Sequence, residues 1–162
     1  MPDCWDENQE KDSMITFKNF FLVVIILSMG MLPACKPDMS DDEIPYVGFA
    51  NVIVNLNLPE NFGLQASGGY KLINEGGVKG IILYNKGNNL FHAFERNCSY
   101  HPNDACSTVG IDVTGLRMTD TCCGSFFDFD GNPIGGPAWR PLRKYVVHRN
   151  NTELVITDEI LE

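Results

Sequence analysis

Asp120-Thr121-Cys122-Cys123-Gly124-Ser125-Phe126-Phe127-Asp128 is the stretch on which the reading of this chain turns. Two adjacent cysteines stand ahead of a Gly-Ser step and an apolar strand start. A second pair, Cys98 and Cys106, lies upstream with His101 between its members. The chemistry of the chain is expected at these four thiols, which either hold a metal or hold each other.

Outward from that stretch, the sequence is built for export. Residues 20–32 read FFLVVIILSMGML, an apolar run too short for a bilayer span of about 20 residues but right for a signal-peptide core. Lys18 flanks it, and Leu32-Pro33-Ala34-Cys35 follows at once. That tetrapeptide resembles the lipobox of bacterial lipoproteins, which implies a lipidated Cys35 as the mature N-terminus. Residues 1–13 are polar and acidic, whereas Met14 opens a more typical signal start, so Met14 is the favoured initiator and Cys4 belongs to no fold. The expected organisation is a signal peptide over 1–34, a lipid-anchored acidic tether over 35–43, and one folded domain over 44–160. The protein is expected in the bacterial cell envelope, periplasmic or surface-exposed, with the membrane as a partner through its lipid.

Composition narrows the fold and the partners. Fifteen glycines and nine prolines among 162 residues favour turns over long helices. A net charge of −9 argues against a nucleic-acid partner, which needs a basic footprint. With Cys35 lipidated, Cys98, Cys106, Cys122 and Cys123 remain, and an oxidising compartment permits two disulfides in any of three connectivities.

Within the domain, short apolar runs alternate with turn residues. Strands are expected over 52–58, 70–73, 78–84, 90–95, 126–129, 145–149 and 154–157, with turns at residues 85–89, 130–133 and 150–151. No stretch has a convincing helical period. The expectation is an all-β fold, a small antiparallel barrel or sandwich.

The order of motifs resembles a Rieske iron–sulfur domain over residues 44–160. A Cys loop precedes the Cys-Gly-Ser loop that runs into Phe127-Asp128-Phe129-Asp130-Gly131. Gly136-Pro137-Ala138 and Pro141-Leu142-Arg143-Lys144-Tyr145 follow. A Rieske centre binds one iron through two thiolates and the other through two imidazoles. The resemblance implies two cluster-binding-type loops, each giving one Cys and one His, clamped by a disulfide, with the Gly-Pro-Ala segment as a shielding third loop. With Gly124-Ser125 as anchor, it implies a Cys106–Cys122 disulfide and puts Cys98, His101, Asp120 and Cys123 at the ligand positions. Cys123 replaces the family's His, Asp120 replaces its Cys, and His101 falls one residue beyond the usual place.

The resemblance implies an electron-transfer module with a [2Fe–2S] cluster or a single metal on those four residues and a redox protein as partner. The alternative is a domain with no metal, stapled by Cys106–Cys122 and Cys98–Cys123, serving as a structural or interaction module. Neither reading requires independent enzymatic activity: a Rieske oxygenase needs a second iron domain, and only His92, His101 and His148 are present. His92 and His148 read as ordinary strand residues. Trp139 is expected to pack over the loops.

Overall fold

The computed structural model describes residues 43–161. The signal segment, the lipobox-like residues 32–35, Cys4 and most of the tether lie outside the described residues. Among the described residues, no helix is long and apolar enough to cross a membrane.

The domain is all-β, in two antiparallel sheets. Its strands are β1 (Val52–Asn55), β2 (Tyr70–Ile73), β3 (Ile81–Gly87), β4 (Leu90–Glu95), β5 (Val109–Ile111), β6 (Met118–Asp120), β7 (Ser125–Phe127), β8 (Pro133–Gly135), β9 (Lys144–Asn150) and β10 (Glu153–Leu161). A six-stranded sheet has the order β1-β10-β9-β4-β3-β2, and a four-stranded sheet has the order β5-β6-β7-β8. The first carries the strands expected from apolar patterning except 126–129, which falls on β7 of the second. Its β3–β4 hairpin turns through Asn88 and Asn89 at φ 52° and 63°, left-handed values that asparagine tolerates. β5, β6 and β8 have three residues each, too short for a periodic signal.

Two apolar cores share β3 and β4. Ile81 and Leu83 of β3 join Val54, Leu64, Tyr145, Leu154 and Ile156 in the core of the large sheet. Ile82, between them, joins Phe94, Cys98, Val109, Met118 and Phe127 on the opposite face. Alternate side chains of a strand point to opposite faces, so the unbroken run Ile81-Ile82-Leu83 feeds both cores.

β3 starts at Ile81, three residues later than the expected 78. The reason is Glu95, a buried carboxylate at the end of β4. Its oxygens accept the N–H groups of Val78 (2.8 Å), Lys79 (3.1 Å) and Asn97 (2.9 Å) and the hydroxyl of Tyr145 (2.6 Å). Val78 and Lys79 therefore donate to a side chain instead of to a neighbouring strand. Pro59–Gln65, beyond the end of the expected 52–58 strand, forms a 3₁₀ turn that buries Leu64.

Candidate metal centre

Three loops build the site. The first follows β4, from Asn97, which bridges to Thr108, through Ser107. Lys79 ties it down by donating to the carbonyls of Asp104 (2.6 Å) and Ser107 (2.7 Å). The second is the tip of the β6–β7 hairpin, where Asp120 pairs with Ser125 across Thr121–Gly124. Asp120 closes that turn twice: its carbonyl accepts Gly124 N–H at 2.9 Å, and its Oδ1 accepts Cys122 N–H at 2.9 Å. The third loop, residues 136–140, is bound to both others. Ala138 N–H donates to Ser125 Oγ (3.1 Å), and Ser99 Oγ donates to the Arg140 carbonyl (2.7 Å).

The hairpin tip gives its adjacent cysteines different partners. Cys122 is exposed and bonded to Cys106, with Cα atoms 5.6 Å apart. Cys123 is half-buried, and its Sγ lies 3.7 Å from that of the buried Cys98. Both are free thiols. The disulfide implied by the family resemblance is present, and an arrangement with all four sulfurs on one metal is not formed.

Beneath the disulfide, Cys98, Asp120 and Cys123 converge, with one ligand atom from each lying within 4.8 Å of the others. Cys123 Sγ donates toward Asp120 Oδ2 at 3.3 Å and toward Ser125 Oγ at 3.0 Å. Ser107 Oγ donates to Asp120 Oδ2 at 3.3 Å. Burial pushes the Cys98 thiol well above its ordinary range. A backbone hydrogen bond at Tyr100 opposes that shift, and the hydrogen bond and charge of Asp120 and the charge of Cys123 add to it. The Asp120 side chain has no solvent exposure.

Three of the four expected ligands therefore meet. His101 is on the first loop at φ 47°, its ring edge-on to Tyr100 at 4.2 Å, and does not belong to the three-residue group. His92 Nδ1 lies 3.1 Å from the Phe129 carbonyl, and His148 is on the exposed end of β9. Trp139 is 44% exposed, and its ring stacks under the guanidinium of Arg140 on the same loop, 4.3 Å away. Sequence reading missed Ser107 and Ser125 as partners of the candidate ligands. Ser125 lay in the quoted motif, but a serine hydroxyl carries no spacing signal of its own.

No protein-family model matches the chain, and no curated protein matches it. Among solved structures, the chain is similar to the cyanobacterial plasma membrane Rieske protein PetC3 from Synechocystis PCC 6803. The identity is 18% and the TM-score 0.46, over 64% of this chain and 98% of that one.

Proposed function

We propose that the chain is an exported module, anchored by lipid on Cys35, that holds a metal centre on Cys98, Asp120 and Cys123 and transfers single electrons to a redox protein. The observation that carries this reading is the convergence of two thiols on a fully buried carboxylate. Thiolates and a carboxylate are ligands for zinc- and iron-class ions. The lipobox-like Leu32–Cys35 supports the anchor, and the Cys106–Cys122 bridge is suited to an oxidising compartment.

A second reading has its own support. Cys98 Sγ and Cys123 Sγ face each other at 3.7 Å, so a small approach would close a second disulfide and leave a stapled interaction module without metal. One preparation separates the two. The full chain is exported to an oxidising compartment and isolated without chelator, and its free thiols, metal content and reversible one-electron redox chemistry are measured. The metal-centre reading expects bound metal, no free thiol reactivity until the metal is removed, and a reversible couple. Two disulfides and no metal overturn it.

A further inference from the structure

The geometry points to a centre of one metal ion, not two: a tetrahedral site for a single iron(II)-class cation, which redox-silent zinc can also occupy as a probe, with a two-sulfur, one-oxygen protein donor set and water as fourth ligand. This rests on the metal-centre reading above and specifies its nuclearity. A tetrahedral ion with metal–sulfur bonds of ~2.3 Å and a metal–oxygen bond of ~2.0–2.2 Å sets its sulfurs about 3.8 Å apart and its sulfur and oxygen about 3.5–3.7 Å apart. The Cys98–Cys123 sulfur separation is 3.7 Å, and Cys123 Sγ lies 3.3 Å from Asp120 Oδ2. The sulfur–sulfur separation matches one tetrahedral edge and the sulfur–oxygen separation is slightly shorter than another, so a small side-chain shift completes the set.

A two-iron cluster asks for something else. Its ligands come in two pairs, one on each iron, with two bridging sulfides between the irons. Ligands of different irons must therefore stand much farther apart than two ligands of one ion. Here the three candidate atoms all lie within 4.8 Å of one another. The donor set points the same way. A Rieske centre needs two imidazoles on its second iron, whereas the group formed here contains no imidazole.

The surrounding bonds are those of outer-shell partners. Ser107 and the Cys122 N–H hold the Asp120 carboxylate, and Ser125 Oγ holds Cys123 while being fixed by Ala138 N–H. Such groups orient ligands, and removing one costs about 10–100-fold in metal affinity. Three protein ligands with the fourth position open to solvent is a common zinc arrangement, and the half-exposed Cys123 gives water a way in.

The test uses the full chain, with Cys98 and Cys123 confirmed as free thiols, titrated without oxygen with Co²⁺ and separately with Zn²⁺. The expected result is one ion per chain, with thiolate-to-cobalt charge transfer and the visible bands of tetrahedral cobalt, displaced by Zn²⁺. Asp120→Asn, which keeps the shape of the side chain, weakens binding by about 100-fold or more, and Ser107→Ala by about 10–100-fold. Unchanged affinity in Asp120→Asn, with the fold checked by its unfolding transition, overturns the donor set. Reconstitution with iron and sulfide that yields two irons and two acid-labile sulfides per chain overturns the single-ion centre but leaves the metal-centre reading standing. No binding of cobalt, zinc or iron by the free-thiol chain overturns both.

Discussion

Gly136 lies against the backbone of Gly124 so closely that a Cβ on Gly136 would sit 2.4 Å from the Gly124 carbonyl oxygen. Gly136 also has φ +83°, where L side chains are strained. The third loop reaches the second because this residue has no side chain. Gly136→Ala is expected to lower unfolding stability by about 2 kcal/mol or more and to increase the thiol reactivity of Cys123. Gly110→Ala is the control, since nothing lies within 4 Å of its Cβ position. Chemical denaturation of both variants checks this, and equal losses would count against the contact.

The Cys106–Cys122 bridge spans 16 residues and is exposed at the rim, outside the three-residue group. The double variant Cys106→Ser, Cys122→Ser is expected to lose about 3 kcal/mol. Metal stoichiometry should stay unchanged in the folded protein, because neither sulfur belongs to the ligand group. Denaturation midpoint and metal titration measure the two effects separately.

Tyr145 donates to the buried Glu95 at 2.6 Å. Burial, followed by the hydrogen bond and charge of Glu95, raises its phenol above the ordinary 10.0. The fold thus favours the neutral phenol. The stability this contributes is fully present below pH 10.0 and is lost as pH rises from there toward the folded-state value. Tyr145→Phe should cost about 1–3 kcal/mol at neutral pH and flatten the alkaline limb of the stability profile. An alkaline limb of unchanged slope in that variant would assign it to other groups.

His101→Gln should leave the metal stoichiometry at one ion and change affinity less than Asp120→Asn does, because the ligand group closes without this residue. Side-by-side competition titrations decide it. A loss as large as that of Asp120→Asn would make His101 the fourth ligand.

Cys35→Ser should abolish lipid labelling and release the protein from the membrane fraction. Retention of the unlabelled variant in the membrane would instead make residues 20–32 a membrane anchor.

Much of this was legible in the sequence. The large sheet announced itself through apolar runs such as Val52–Asn55 and Leu90–Glu95, bounded by Asn, Gly and Pro. Anchoring on Gly124-Ser125 placed Cys106 with Cys122 and Asp120 beside Cys123. Of the small sheet only β7 was legible, at the expected 126–129; the rest was not, because three-residue strands such as Val109–Ile111 are specified by their partners. Nor was Glu95: a strand-end glutamate reads as exposed until Val78, Lys79, Asn97 and Tyr145 are brought to it by the fold. The meeting of three of four expected ligands without His101 reflects loop geometry, here a residue at φ 47°, which spacing alone does not encode.

The shared strands set what can be cut from this protein. Ile82 serves the loop-bearing half while Ile81 and Leu83 serve the other. Transplanting the three loops with the small sheet alone would strip Val109, Met118 and Phe127 of the Ile82 and Phe94 floor they rest on. The smallest portable version of the centre therefore includes β3 and β4, and a melt followed at Cys123 should trace the same curve as one followed at Tyr145.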